Sequence, residues 1–380
     1  MTSPSRSFIF LGLSITSSWG NGHATTYRGL VRELAKRGHR ILFLERDVPW
    51  YRDNRDLPSP PYCETELYSS LEELQDRFTA RVREADVVIV GSYVLEGDKV
   101  GAWVQRTVKG LSAFYDIDTP VTLQSLAIGS CSYLTPSLIP GYDLYLSFTG
   151  GPTLTRIEKQ YGAKRPLPLY CSADPLLYYP EDTSERWGLG YLGTYSNDRQ
   201  PPLETLLIEP AKGLAHERFV VAGPQYPDSI AWPSNVERIE HVAPGDHRKF
   251  YCAQRYTLNI TRKDMIAAGY SPSVRLFEAA ACETPIISDA WEGLSAFFMP
   301  DLEILVAQRS GDVRRILLEV PETRRRAIAR RAAARVLREH TAAHRAAQLE
   351  AYVEELITPS SSRRRAQREE TRTEELFNGR

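Results

Sequence analysis

The stretch that decides the fold runs from residue 271 to residue 289 and reads SPSVRLFEAAACETPIISD. Apolar side chains recur at helical spacing from Val274 to Ala281, which predicts a helix after a short polar loop, and a buried strand begins at Pro285. Arg275 and Glu278 then lie on the first turns of that helix, where free amide groups and the positive dipole end favour an anion. The stretch suits a nucleotide diphosphate, although an ordinary helix and strand of an α/β core would show the same pattern.

Strands and helices alternate along the rest of the chain. In the first half we predict buried strands at residues 7–15, 40–45, 86–91, 111–115 and 142–147. In the second half we predict them at residues 190–193, 218–222, 256–260 and 285–288. Such alternation indicates parallel sheets, with ligands bound beyond the carboxyl ends of the strands. The predicted fold class is therefore α/β, with two Rossmann-like domains in tandem and a long C-terminal helix.

The predicted domain boundaries follow shifts in composition. A Pro-rich segment, residues 166–180, suits a linker between a first domain at 1–165 and a second at 181–320. Residues 321–357 are rich in Ala and Arg and contain few helix breakers, which predicts one long or bent helix. The polar and charged residues 358–380 are predicted to be disordered.

Composition excludes several classes of function. The 380 residues carry 47 basic and 48 acidic side chains, so no nucleic acid partner is expected. Five cysteines lie scattered without metal-ligand spacing, which argues against a disulfide framework or zinc site and fits a reducing cytoplasm. The apolar run Phe8–Ile15 is too short to span a membrane and leads into an amphipathic helix. We interpret it as a first parallel strand rather than a signal peptide, and we expect no integral membrane segment.

Three motifs make the chain similar to a known family. They are YLGTY at Tyr191–Tyr195, LNITR at Leu258–Arg262 and GYSPSVRLFE at Gly269–Glu278. The third resembles the donor-binding helix of GT-B glycosyltransferases, and together they resemble the CgeB-like, spore-maturation type of that family over residues 7–350. The resemblance implies a nucleotide-sugar donor held by the C-terminal domain, an acceptor held by the N-terminal domain, and no cofactor or metal.

Two residues depart from the family pattern. Glu283 stands where the general pattern has Gly, and Tyr270 stands where many retaining relatives have the first Glu of a spaced Glu pair. The second departure leaves open whether transfer inverts or retains the configuration of the sugar.

His23 is the first catalytic candidate. It lies in the sequence GNGH, in the turn that follows the first predicted strand and precedes a helix. A neutral imidazole at that edge of the sheet can take the proton from an acceptor hydroxyl, and the placement resembles the His in the first loop of inverting GT-B enzymes. Two other roles stay open: a hydrogen bond within its own loop, or contact with the donor without proton transfer.

Asp116 and Asp118 follow a predicted strand and are the other catalytic candidates. They can orient His23, bind the acceptor or hold a divalent metal. A structural Asp that fixes the turn before Thr119 and Pro120 is a further alternative. We favour orientation or acceptor binding, because the metal role belongs to a GT-A fold.

A larger set of residues in the second domain is expected to hold the donor. The set is Gly193, Thr194, Tyr195, Arg199, Asn259, Arg262, Ser273, Arg275 and Glu278. Small residues let the backbone approach a phosphate, and guanidinium groups can stabilise the leaving diphosphate without a metal. The carboxylate of Glu278 can accept both ribose hydroxyl protons. Each Arg could instead be a surface or ion-pair residue, and Glu278 could cap its helix or pair with Arg275.

The sequence thus predicts a cytoplasmic glycosyltransferase that moves a sugar from a nucleotide-sugar donor to an unknown acceptor. A nucleotide-sugar epimerase on the same fold is one alternative, because fold does not fix function. A non-catalytic nucleotide- or sugar-binding structural protein is another. The base and sugar of the donor, the acceptor and the oligomeric state stay open.

Overall fold

Two parallel β-sheets organise residues 4–357, the part of the chain that the computed structural model describes. The first sheet has the strand order β3-β2-β1-β4-β5-β6-β7, with β1 (Ser7–Gly12), β2 (Arg40–Arg46), β3 (Glu64–Tyr68), β4 (Val87–Gly91), β5 (Leu111–Asp116), β6 (Leu144–Ser147) and β7 (Pro166–Pro168). The second has the order β10-β9-β8-β11-β12-β13, with β8 (Trp187–Leu192), β9 (Phe219–Ala222), β10 (Val236–Ile239), β11 (Gln254–Asn259), β12 (Ile286–Ser288) and β13 (Leu305–Val306). The predicted α/β class with two Rossmann-like domains is confirmed, and the predicted disordered tail lies outside the described residues.

Helices connect the strands within each domain. Those of the first domain are α1 (Gly22–Lys36), α2 (Pro49–Arg52), α3 (Leu71–Glu84), α4 (Gly97–Thr107), α5 (Thr119–Ala127) and α6 (Pro152–Tyr161). Those that follow are α7 (Gln200–Leu203), α8 (Glu209–Gly213), α9 (His247–Cys252), α10 (Lys263–Ala268), α11 (Val274–Ala281), α12 (Leu294–Phe297), α13 (Ser310–Glu319), α14 (Glu322–Glu339) and α15 (Ala342–Ile357). One π-helical segment, Glu204–Ile208, joins α7 to α8.

The strands at the centre of each sheet read as continuous apolar runs because both of their faces are buried. In β4, every residue of Val87–Gly91 is buried. The strand order reverses direction beside β1 in the first sheet and beside β8 in the second. A crevice opens outside the carboxyl ends of the strands at such a reversal, so each domain offers one ligand site there.

The connection between the domains begins later than the sequence predicts. Residues 166–168, placed in the linker by their prolines, form β7 and pair in parallel with β6. Beyond that strand, Asp174 is buried and accepts a hydrogen bond from Nη1 of Arg32 on α1 at 2.7 Å. The connecting chain is therefore anchored to the first domain.

The C-terminal segment is bent, one of the two forms that its composition predicts. His340 and Thr341 separate α14, which packs in the second domain, from α15, which packs against α1 of the first. Arg345 is buried at the bend, where Nε donates to the carbonyl of Tyr170 at 3.0 Å and Nη2 lies 2.8 Å from Nδ1 of His340. The guanidinium of Arg345 thus joins α15 to the chain that connects the two domains.

A second contact between the domains involves the loop after β6. The amide of Gly150 donates to the carbonyl of Tyr270 at 3.0 Å, and Oγ1 of Thr149 donates to Oγ of Ser271 at 2.9 Å. The loop that precedes α11 is thus fixed against the first domain. Within residues 4–357, no helix is both long enough and apolar enough to cross a bilayer.

We predict that Arg345→Ala lowers the free energy of unfolding by about 2 kcal/mol or more, because it leaves buried carbonyls of the connecting chain without a charged donor. Arg338→Ala is the matched control: Arg338 is exposed on α14 and pairs only with Glu339 among the described residues. Its effect should stay within about 0.5 kcal/mol. Urea denaturation followed by circular dichroism measures both, and equal destabilisation by the two changes would contradict the role of Arg345.

Candidate active site

Loops from both sheets meet at the carboxyl ends of their central strands. His23 follows β1 and Tyr93 follows β4, which places both at the strand reversal of the first sheet. Gly193 follows β8 and Arg262 follows β11, at the reversal of the second sheet. Burial raises the pKa of Asp118, and the positive charge of Arg262 in the second domain partly offsets that rise. The two crevices therefore face each other across the domain boundary.

Gly193 leaves room for a cationic side chain. A β-carbon at this position would lie 3.1 Å from Nη2 of Arg275 and 2.7 Å from the Tyr191 hydroxyl. The guanidinium carbon of Arg275 also lies 5.0 Å from the centre of the Tyr191 ring, within cation–π range. A larger residue at 193 would displace the Arg275 side chain.

Asn259, the last residue of β11, fixes the start of α11. Its Oδ1 accepts hydrogen bonds from Oγ of Ser273 at 2.8 Å and from Nη1 of Arg275 at 3.2 Å. Its Nδ2 donates to Oγ of Ser288 at 3.0 Å, which holds the amide in place. One buried side chain thus orients two of the predicted donor-binding residues.

Three guanidinium groups approach one another in this crevice. Burial lowers the pKa of Arg199, and the positive charges of Arg275 and Arg262 lower it further. Arg199 donates from Nε to Oγ of Ser196 at 2.8 Å and from Nη2 to the carbonyl of Thr194 at 2.5 Å. Among the described residues, none of the three has a carboxylate within 4.0 Å. Aspartates lie near these groups without forming ion pairs with them: Asp198 near Arg199, Asp289 near Arg275 and Asp118 near Arg262. Three guanidinium groups that are not held in ion pairs suit a diphosphate.

The amino end of α11 adds backbone donors to the same place. Ser273 is its N-cap residue, but the Ser273 side chain makes no capping bond and donates to Asn259 instead. The first amide groups of the helix are consequently free to bind an anion, aided by the helix dipole.

Glu278 lies one turn further along α11 and is buried. Oε2 accepts a hydrogen bond from the hydroxyl of Tyr251 at 3.3 Å, and burial together with Glu278 raises the pKa of Tyr251. In the described part of the chain no ion pair joins Glu278 to Arg275, so the alternative of a simple pair within the helix does not hold. Its carboxylate keeps lone pairs available for hydroxyl groups.

On the opposite side, His23 lies in the first turn of α1 rather than in the preceding turn that the sequence predicts, and the side chain of the N-cap residue Asn21 accepts from the His23 amide at 3.0 Å. Burial of the imidazole lowers the pKa of His23 to about 4, so the ring is neutral at physiological pH. Its Nδ1 is buried and has no hydrogen-bond partner in the described residues. A neutral ring with a free nitrogen can accept a proton.

Tyr93 links His23 to Asp118. The Tyr93 ring meets the His23 ring edge-on at 5.4 Å between centres, and its hydroxyl donates to Oδ2 of Asp118 at 3.0 Å. Tyr93 has a φ of 63°, a left-handed conformation that is costly for a bulky residue. Such a conformation persists only where the surrounding structure imposes it, and here Tyr133 packs on the other side of the ring at 4.7 Å.

The two aspartates of the first domain lie in different environments. Asp116 is fully buried, and its carboxylate accepts from Oγ1 of Thr122 at 2.6 Å and from the hydroxyl of Tyr145 at 2.6 Å. Burial raises the pKa of Asp116 to about 7. None of its hydrogen bonds involves His23, so direct orientation of His23 by Asp116 is not what the structure shows. Asp118 is the aspartate nearer the crevice.

The remaining donor candidates line the loop after β8. Thr194 is exposed and offers its backbone carbonyl to Arg199. Tyr195 stacks edge-on against Tyr226, whose hydroxyl donates to the carbonyl of Gly193 at 3.1 Å. Tyr93, Tyr226 and Tyr251 were not among the sequence candidates. No motif distinguishes them, because tyrosines at such positions are most often core residues.

The family model described as "Glycosyl transferase-like" matches residues 199–351, which include Arg199, Arg275 and Glu278. No curated protein sequence matches the chain significantly.

Solved structures share the fold over nearly the whole chain. The sucrose-phosphate synthase of Thermosynechococcus elongatus is 14% identical, with a TM-score of 0.66 and coverage of 92% of this chain and 99% of that one. Anabaena HepE in complex with UDP-glucose is 12% identical, with a TM-score of 0.68 and coverage of 92% and 100%. An α-glucosyltransferase in complex with UDP and DNA is 12% identical, with a TM-score of 0.65 and coverage of 92% and 99%. The chain therefore has the GT-B fold of these structures, and the glycosyl transferase-like match covers residues 199–351 of it.

We predict that Tyr93→Phe lowers the rate of sugar transfer about tenfold, the effect of losing one hydrogen bond to a charged group. Without the Tyr93 hydroxyl the pKa of Asp118 rises further, so the acidic limb of the pH–rate profile should move to higher pH. The Tyr142→Phe variant is the control, because the buried Tyr142 hydroxyl has no partner in the described residues. An unchanged profile in Tyr93→Phe would show that Tyr93 is only a packing residue.

Proposed function

We propose that the protein is a CgeB-like glycosyltransferase that transfers a sugar from a UDP-sugar to an acceptor bound by the first domain. The observation that carries this proposal is the group of three guanidinium side chains, Arg199, Arg262 and Arg275, which has no carboxylate partner in the described residues. Two of the three, Arg262 and Arg275, lie in the motifs that resemble the CgeB-like type, as do Asn259 and Ser273, which bond to each other and, through Asn259, to Arg275.

The choice of UDP as the nucleotide rests on relatives of the same fold. HepE has been solved with UDP-glucose and with UDP, and the α-glucosyltransferase with UDP. In this chain the diphosphate would lie between the loop after β8 and the amino end of α11, with Glu278 accepting the ribose hydroxyls. The acceptor is proposed not to be a nucleic acid, because basic and acidic residues nearly balance at 47 and 48.

The proposed chemistry uses side chains and backbone amides in place of a metal ion. An acceptor oxygen attacks the anomeric carbon while the bond from that carbon to the diphosphate oxygen breaks. Negative charge then builds on the departing diphosphate, where Arg199 and Arg275 stabilise it. The acceptor proton passes to the neutral imidazole of His23, and Asp118 acts through Tyr93 to hold that ring in place.

The cytoplasm is the proposed location. The cysteines within the described residues are all free thiols, which fits a compartment that keeps thiols reduced. No described helix is long and apolar enough to span a bilayer, and this finding does not itself identify the compartment.

We predict that Arg275→Ala weakens UDP binding by about 2 kcal/mol, the range of a lost hydrogen bond to a charged group. Arg275→Lys should recover only part of the affinity, because an ammonium cannot contact Asn259 and a phosphate in the same forked geometry. Arg331→Ala, an exposed residue of α14 with no carboxylate partner in the described residues, is the control. Isothermal titration with UDP measures all three, and wild-type affinity in Arg275→Ala would refute the proposed diphosphate site.

We predict that His23→Ala reduces sugar transfer at least about a hundredfold, the usual contribution of a general base. UDP affinity should be unchanged, because His23 lies in the other domain. Because burial lowers the pKa of His23 to about 4, protonation of the imidazole should not slow the wild-type enzyme until the pH approaches 4. UDP release from UDP-glucose measures the rates of both proteins, and buffer containing EDTA tests in the same assay whether the reaction needs a metal ion. Full activity in His23→Ala would show that His23 is not the base.

A further inference from the structure

Two cysteines that are distant in sequence meet at the amino-terminal edge of the second sheet. Cys252 ends α9, and Cys282 is the C-cap residue of α11. Sγ of Cys252 lies 3.9 Å from the carbonyl oxygen of Cys282 and 3.8 Å from that of Tyr179, and each thiol is the largest influence on the pKa of the other. A bond from Oγ1 of Thr284 to the carbonyl of Tyr251, at 2.9 Å, holds the two segments together.

The two thiols differ in exposure and in acidity. Cys252 is partly exposed, and its interaction with the Cys282 thiol lowers its pKa, an effect that Arg248 reinforces. Cys282 is buried, and the same interaction together with burial raises its pKa. A thiol that ionises readily and reaches solvent, beside a protonated second thiol, is the usual arrangement of an attacking cysteine and its resolving partner.

A cavity of about 430 Å³ gives small molecules access to this pair. Both thiols line it, together with Glu181, Glu283 and Arg325. It lies at the edge of the sheet opposite to Arg199 and the other donor candidates, because Cys252 precedes β11 and Cys282 precedes β12. The cavity is therefore separate from the proposed active site.

We propose that Cys252 and Cys282 form a redox-active dithiol that a hydroperoxide converts into a disulfide. The Cys252 thiolate attacks one oxygen of the peroxide, the O–O bond breaks, and the departing oxygen takes up a proton, as water when the oxidant is hydrogen peroxide. The thiol of Cys282 then attacks the sulfenic sulfur of Cys252, the S–S bond forms, and the S–O bond breaks with loss of water. Both thiols are oxidised, and the peroxide is reduced.

This disulfide would act on the helix that carries the proposed donor ligands. An S–S bond of roughly 2 Å is far shorter than the separation of two non-bonded sulfurs, so its formation draws the ends of α9 and α11 together. Tyr251, which precedes Cys252, bonds to Glu278, and Glu278 lies one turn before Cys282. We therefore expect oxidation to weaken nucleotide binding, a consequence that rests on the proposed function.

The test uses the full-length protein treated with hydrogen peroxide and analysed by peptide mass spectrometry. We expect a cross-linked peptide that contains Cys252 and Cys282 and has lost two hydrogen atoms, with both thiols recovered by dithiothreitol. Cys252→Ser and Cys282→Ser should each abolish the cross-link. The double variant Cys63→Ser and Cys131→Ser is the control and should retain it, since those thiols lie in the first domain.

The second measurement is the affinity for UDP before and after oxidation. We expect a loss of about tenfold, within the range typical of coupling between two sites. The loss should be absent in Cys282→Ser. Failure of the reduced protein to bind UDP would count against the proposed function and would leave the cross-link as an independent result.

Two results would overturn the inference. One is oxidation of Cys252 to sulfinic acid without any cross-link to Cys282, which would show that the two thiols do not react with each other. The other is a cross-linked protein with undiminished affinity for UDP, which would show that the disulfide does not act on α11.

Discussion

Repulsion among three guanidinium groups is the constraint around which the second domain is built. Burial lowers the pKa of Arg199, a residue that ordinarily stays protonated under all conditions, and the nearby charges of Arg275 and Arg262 lower it further. Coulomb repulsion between like charges opposes folding, so the scaffold must hold the buried Arg199 and the half-buried Arg275 in position. Asn259 does so for Arg275 through a side-chain oxygen that cannot ionise. An anion that binds there removes the repulsion, and an empty site is consequently ready to attract one.

Much of this arrangement could be predicted from the sequence, because parallel strands place their carboxyl ends along one edge of a sheet. Apolar runs such as Val87–Gly91 identify buried strands, and the residues that follow β8 and β11 must then lie near each other. Arg199 and Arg275 could therefore be assigned to one crevice without coordinates. Residues at the carboxyl ends of neighbouring strands can be predicted to lie close together, because the strand order alone determines which ends are adjacent.

Features that depend on the path of a side chain could not be predicted in this way. Asp116 and Asp118 are two residues apart, yet one carboxylate turns into the core towards Tyr145 and the other towards Tyr93. A left-handed φ at Tyr93 decides that contact, and no sequence pattern marks a tyrosine for it. The contact between Sγ of Cys252 and the carbonyl oxygen of Cys282 depends on how α9 packs against α11. Spacing along the chain carries no information about such packing.

The departure at Tyr270 has a physical meaning that bears on catalysis. Its backbone is left-handed, with a φ of 46°, and its ring lies so close to Gly151 and Gly293 that a β-carbon at either position would be within 2.6 Å of it. Its carbonyl accepts from Gly150, and its amide donates to Glu292 at 2.6 Å. These contacts commit Tyr270 to joining the two domains, so this position does not supply a carboxylate to the donor sugar. Under the proposed function, the base for transfer would come from the first domain, where burial keeps the imidazole of His23 neutral. Tyr270 thus contributes to the contact between the domains at a position where many relatives carry a carboxylate, and the proposed chemistry uses His23 as its single base.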